Sequence, residues 1–199
     1  KKVLLIDNDN QKSAIRLRKY DDEHYEDKQP PYLIQGMTYK EIVESIVDID
    51  STYDYVFIDT PGKLDNNLAP EKQEVTKVLL LTDYLFMPFK GGALNLDATT
   101  DYVKVLLKAK QHRSKTDRPL HIYGVVNFYK ERSRINRELK EELEYLKEHA
   151  RLEFLEIPFK QYVAYEYIDT YESMYDKEST EPAKVNYTAF LNEFYKITK

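Results

Sequence analysis

Apolar residues in this chain fall into short continuous runs separated by longer stretches with helical spacing. Val3–Ile6 (VLLI) and Tyr55–Ile58 (YVFI) read as strands covered on both faces, and Tyr84–Pro88, His121–Val126 and Phe154–Ile157 read as three further strands. Pro158 stops the last of them. Thr38 with Glu41 has the form of a capping box and predicts a helix through about Asp50. Further helices are expected over about Pro70–Leu81, Asn95–Gln111, Ser133–His149 and Ala183–Ile197. Ile135, Leu139, Leu143 and Leu146 form one apolar stripe on the fourth of these five helices, and the last is expected to bury Val185, Phe190, Phe194 and Ile197. Tyr20–Asp27 is acidic and polar and runs into Gln29-Pro30-Pro31, the pattern of an exposed loop.

Strands alternating with helices predict an α/β fold: a mostly parallel sheet with helices on both faces, here in one domain. Ligands of such sheets bind beyond the carboxyl ends of the strands. Asp7, Asp9, Asp59 and Asn127 all fall at those ends. An aspartate after an apolar strand, as at Asp59, has the form of a Walker B carboxylate, which holds magnesium largely through water. Asp7 and Asp9 stand two apart, so both point to one side if the strand persists between them. The alternative is a turn rich in Asp and Asn, for which Asp7-Asn8-Asp9-Asn10 is good material.

Composition narrows the picture. No apolar run approaches the roughly 20 residues of a membrane span, and no signal-peptide pattern precedes the first strand. With no cysteine in 199 residues, disulfides and thiolate metal sites are excluded, and a cytoplasmic location is expected. The four histidines lack ligand spacing. The net charge of −5 argues against bulk coating of nucleic acid but leaves local basic patches open. Two stand out: Lys104–Arg118, and Lys130–Lys140 with Lys130, Arg132, Arg134, Arg137 and Lys140. Such residues bind phosphates without sequence preference, but they also commonly decorate helix C-termini. The 18 tyrosines lie mostly in strands or at helical spacing, which assigns them to packing rather than base stacking.

Lys2–Ala14 (KVLLIDNDNQKSA) resembles the second-strand motif of the ParA/MinD superfamily of deviant Walker-type ATPases, with Asp7, Asp9, Gln11 and Ser13 matching. Tyr53–Gly62 resembles the Walker B region of that family, Thr82–Leu96 its next strand and loop, Gly124–Asn127 the strand that ends near adenine, and Ile157-Pro158 a late Ile-Pro. The likeness runs in order over nearly the whole chain and is nearest the ParA partition branch. It implies ATP and Mg²⁺ as cofactors. Asp9 would orient the attacking water, Asp7 and Asp59 would support the ion, and Asn127 with the backbone near Pro158 would lie beside adenine. It further implies an ATP-dependent homodimer, non-specific DNA as a partner, nucleoid association in the ATP state, and a ParB-like adaptor that stimulates hydrolysis. Arg132 aligns with a DNA-contacting arginine of the family. A second such arginine falls on Tyr162, with Lys160 nearby, and Lys130 and Arg134 flank Arg132.

One departure stands out: no G-x-x-x-x-G-K-[ST] phosphate loop occurs in the chain. The expectation is therefore that a first strand, phosphate loop and first helix precede Lys1. If they do not, the chain is a degenerate dimerisation or DNA-binding module. A phospho-acceptor receiver domain is a rival of another class, with Asp59 as acceptor and Thr82 as switch hydroxyl, although its acids would normally be adjacent. A membrane-binding branch would need a basic amphipathic tail, and Tyr187–Lys199 has core spacing instead.

Overall fold

The computed structural model describes residues 1–61, 77–91, 96–130, 134–167, 169–174, 176 and 181–199. They form two compact units, Lys1–Leu81 with Ile168–Lys177, and Thr82–Tyr167 with Glu178–Lys199. Most of the helix expected over Pro70–Leu81 lies outside the described residues. Among those described, no helix is long and apolar enough to cross a membrane.

The first unit is built on β1 (Val3–Asp7), which pairs in parallel with β2 (Leu33–Gly36) on one side and β3 (Tyr55–Asp59) on the other. Leu4 and Ile6 of β1 are buried with Ile42 and Ile49 of helix α2 (Tyr39–Thr52), and Val56 and Ile58 of β3 pack against the same cluster. Alternation along β1 sends Asp7 to the opposite face, where it accepts a 3.2 Å hydrogen bond from the Ile15 amide of α1 (Ser13–His24). Helices therefore cover both faces. The capping box is formed as expected: Thr38 Oγ1 accepts from the Glu41 amide, and Glu41 Oε2 accepts from the Thr38 amide.

Two features of this unit differ from the sequence reading. The acidic stretch assigned to an exposed loop is helical as far as His24. Tertiary partners explain it. Arg18 donates from Nε to Thr170 Oγ1 at 2.7 Å, from Nη2 to Thr170 O, and from Nη1 to Tyr32 O. Asp21 in turn accepts from the Thr170 amide and hydroxyl at 2.7 and 2.8 Å. Asp21, read as a solvated acid, is 4% exposed. The short edge strand β2 gave no pattern, because Leu33 and Gln35 face solvent and leave only Ile34 half-buried as a signal.

The second unit centres on β5 (His121–Tyr129), flanked in parallel by β4 (Tyr84–Phe89) and β6 (Glu153–Phe154), with β7 (Phe159–Lys160) pairing the far end of β5. Helices α3 (Leu96–Arg113) and α4 (Arg134–Ala150) pack together, and the last helix, α5 (Glu181–Ile197), lies against β7. Gly124 is required in β5: a Cβ there would sit 2.2 Å from Phe154 Cε1. The stripe on α4 is buried at Leu139, Leu143 and Leu146, whereas Ile135, at the first turn of the helix beside Gly91, is 49% exposed.

The strand expected over Phe154–Ile157 ends at Phe154. The amides of Glu156 and Ile157 are taken by the Glu193 carboxylate at 2.7 and 2.9 Å, so they do not enter a ladder. Val185, expected in the core, is 58% exposed, because α5 turns Ala183 and Asn186 inward instead.

Ile42 is fully buried between α2 and the sheet, so Ile42→Ala is expected to lose about 2–5 kcal/mol of stability. Thr38→Ala should lose about 1 kcal/mol. Urea denaturation followed by circular dichroism checks both, and the reverse order would contradict the packing described.

Candidate functional site

In the first unit the carboxyl ends of β1 and β3 are level. Asp7 pairs in register with Asp59, and the Asn8 amide extends the pairing by donating to Asp59 O at 2.9 Å. In-register neighbours on parallel strands point the same way and lie roughly 5 Å apart. Asp7 is fully buried. One of its carboxylate oxygens accepts from Ile15 N, and the other, Oδ1, has no hydrogen-bond partner among the described residues.

β1 ends at Asp7, so Asp9 is presented by a turn rather than by strand alternation. Its Oδ1 accepts from the Gln11 amide at 2.9 Å, and its carbonyl accepts from the Lys12 amide. The turn holds Asp9 half-buried and near enough to act on its neighbours. Asp59 has its carboxyl raised above the usual range by desolvation first, then by the charges of Asp7 and Asp9. The three acids are thus one electrostatic group, with Asp59 at the surface.

The sequence reading did not single out Lys12. It holds a left-handed backbone (φ 50°) at the N-cap of α1, and its Nζ donates to Asp7 O at 2.7 Å. A positive φ at a non-glycine residue is a cost accepted where the surrounding structure demands it, but the side chain alone carried no sequence signal. Asn8 was also missed: it is buried, donates from Nδ2 to Met37 O, and has no partner for Oδ1 among the described residues.

Among the described residues no three His, Cys, Asp or Glu side chains converge tightly enough to hold a metal alone. A buried, unpartnered carboxylate oxygen beside a second carboxylate suits a hard cation held mostly by water and by a ligand's own oxygens, which is the habit of Mg²⁺.

In the second unit Asn127 and Pro158 are brought together by strand pairing. Asn127 pairs with Phe159, the residue after Pro158, and Tyr129 pairs with Lys160. The residue skipped is Phe128, bulged out with φ 55° and 47% exposed, with Lys90 Nζ 4.9 Å from its ring centre. The Asn127 Oδ1 accepts from the Phe128 amide at 2.9 Å. Bulges re-aim side chains at sheet rims, and the sequence gives no sign of this one. Tyr165, whose hydroxyl donates to Ala183 O at 2.7 Å, has its pKa pushed up to about 12 by burial and stays a proton donor.

The basic candidates behave differently from one another. Arg132 lies outside the described residues. Lys130 is exposed, and its carbonyl accepts from Asn136 Nδ2. Arg134 is 84% exposed in its side chain but pairs with Glu138 at 3.0 Å. Lys160 is half-buried, its amide bound to Asn186 Oδ1. In the other basic stretch, Arg113 is buried and donates to Thr82 O, while Arg118 grips Asp83 at 2.6 Å, so both serve the fold.

No protein-family model and no curated protein matches this chain. Solved structures do. A structure titled "Partition Protein" aligns over 98% of this chain and 62% of its own, with a TM-score of 0.57 and 15% identity. A plasmid partition protein from Borrelia burgdorferi aligns over 96% of this chain and 86% of its own, with a TM-score of 0.52 and 18% identity. The chain thus has the α/β fold of partition proteins and spans less than two thirds of the first of them.

A raised carboxyl pKa means that the folded state holds its proton more tightly than the unfolded one. The resulting stability is full below the unfolded value of about 3.9 and is lost as pH rises through the native value. Asp59→Asn removes that loss. The variant should melt higher than the parent at about pH 7, with the gap closing below about pH 4. Melting curves across that range check it, and an equal or lower midpoint for the variant at neutral pH would refute the electrostatic grouping.

Proposed function

We propose that this chain is the ATPase part of a ParA-type partition protein. In this reading it binds Mg²⁺-ATP at the carboxyl ends of its strands, dimerises in the ATP state, and holds DNA without sequence preference. Hydrolysis, stimulated by a ParB-like adaptor, would release it and so position a plasmid, chromosome or other cargo. One observation carries the reading: the in-register pair of Asp7 and Asp59, with Asp9 beside them, at strand ends of a partition-protein fold.

The roles follow from chemistry. Phosphoryl transfer asks a protein mainly for positioning and charge stabilisation. Asp9, held by its turn at Oδ1, has Oδ2 left to orient a water. Asp59 and the unpartnered oxygen of Asp7 would receive the hydrated ion. Mg²⁺ would supply neutralisation of the phosphate oxygens. Asn127 and the backbone at Pro158 would meet the base. Lys130, Arg132, Arg134 and Lys160 would contribute to DNA binding, with Arg134 first leaving Glu138.

The reading also requires a phosphate cradle. In the first unit no described strand pairs with the outer edge of β3. That strand is apolar nearly throughout, and Phe57 is 43% exposed. Edge strands are normally blunted by charge, proline or a bulge, and a further parallel strand carrying a phosphate loop would fit beside β3.

Asp9→Ala in the full-length protein should lower ATP turnover by about 10²–10⁴-fold while ATP binding and dimerisation persist. Turnover is read by phosphate release, binding by nucleotide titration and dimerisation by light scattering. Loss of binding instead would remove Asp9 from the hydrolytic role. An unmutated protein that dimerises without turnover would replace the enzyme reading with the degenerate module. Arg132→Ala should weaken DNA binding and reduce its log–log salt slope by about one at unchanged nucleotide affinity, and an unchanged DNA isotherm would exclude that residue.

A further inference from the structure

The segment Glu156–Lys160 links two strands of two residues each, so it has few ladder bonds of its own. Pro158 contributes no N–H at all. Yet four of its polar backbone groups are paired with side chains of α5. Glu193 receives the Glu156 amide on Oε1 at 2.7 Å and the Ile157 amide on Oε2 at 2.9 Å. Asn186, 7% exposed, donates from Nδ2 to Pro158 O at 2.9 Å and accepts the Lys160 amide on Oδ1, also at 2.9 Å. Tyr165 brackets the same asparagine, its hydroxyl 3.4 Å from Oδ1. Four backbone groups in five residues are therefore fixed by two side chains two helical turns apart.

A buried polar residue that could be apolar needs a reason. Asn186 stands on the inward face of a helix beside Ala183, where an aliphatic side chain would satisfy packing. What an aliphatic residue cannot do is act as donor and acceptor toward one peptide segment at once. The same segment pairs with the Asn127 end of β5. We infer that Asn186 and Glu193 are positioning residues that set the backbone at Pro158 for recognition of a nucleotide base, and so determine which base is accepted. This rests on the reading of the Asn127 and Pro158 rim as a base site. The chemistry favours it, because a backbone edge discriminates between bases only if its carbonyls and amides are held in place. A site built to hydrogen-bond one pattern rejects another by leaving groups unpaired.

The test uses the full-length protein and the isosteric variants Asn186→Asp, which loses the donor to Pro158 O, and Glu193→Gln, which loses one of two acceptors. Affinities for ATP and GTP are measured by displacement of a fluorescent nucleotide, with Val185→Ala on the exposed face of α5 as control. The unmutated protein and the control should prefer ATP. Each isosteric variant should bring the ATP-to-GTP preference down on the order of tenfold, about 1.4 kcal/mol. A purely structural role would lower the melting point and leave that ratio unchanged, which would overturn the inference while leaving the ATPase reading intact. An unmutated protein that binds both nucleotides equally would also overturn it, and one that binds neither would overturn both. Should the variants fail to fold, amide exchange in the unmutated protein decides. ATP should slow the amides of Glu156, Ile157 and Lys160, and unchanged exchange there would end the proposal.

Discussion

The parallel register between β1 and β3 is the constraint on which the acidic rim depends. Side chains on a strand alternate with a period of two, so a slip of one residue would send Asp59 to the opposite face from Asp7. The register is held from the core. Leu4 and Ile6 must meet Val56 and Ile58 on the side packed by α2. The apolar contacts fix where the carboxylates end, and the Asp59 carboxyl is then raised above its usual range, by desolvation first and by the charges of Asp7 and Asp9 after it. Apolar burial of this extent outweighs that cost, since each buried aliphatic side chain contributes about 1.5–3 kcal/mol.

Polar residues make the second kind of constraint. In the first unit the buried Arg18 and Asp21 bind Thr170, far away in sequence, and tie a short segment to α1. In the second, Asn186 and Glu193 hold the backbone around Pro158. Both networks satisfy peptide groups that lack a ladder. Each also fixes a segment that adjoins a candidate rim, α1 starting at the acidic turn and Pro158 adjoining Asn127. Breaking one partner of such a set leaves the others buried without bonds, so these networks restrict the chain to one arrangement more than they add net stability.

Much of this was legible in the chain itself. Continuous apolar runs located β1, β3, β4 and β5, because strands of a parallel sheet need apolar side chains where helices cover their faces. Thr38 and Glu41 announced the start of α2, since a capping box is a purely local arrangement. The placement of Asp7 and Asp59 at strand ends followed from the same runs, as did the α/β class, whereas Asp9 is carried by the turn beyond β1 and Asn127 lies within β5 beside its bulge. Local patterns of this sort persist in the fold because they satisfy their own backbone groups or one continuous face.

Tertiary structure alone decided the rest. The acidic stretch after Tyr20 is helical because Asp21 has a buried partner about 150 residues away, and no local rule encodes a partner at that distance. Phe154–Ile157 stops short as a strand because a carboxylate from α5 takes its amides. Asn186 rather than Val185 faces inward because the Pro158 segment needs a donor and an acceptor there. The bulge at Phe128 and the left-handed turn at Lys12 arise where strand pairing and helix entry force the backbone. Sequence determined which residues want burial and where strands must end. The long-range pairing of polar groups, which has no period, decided how the ends were finished.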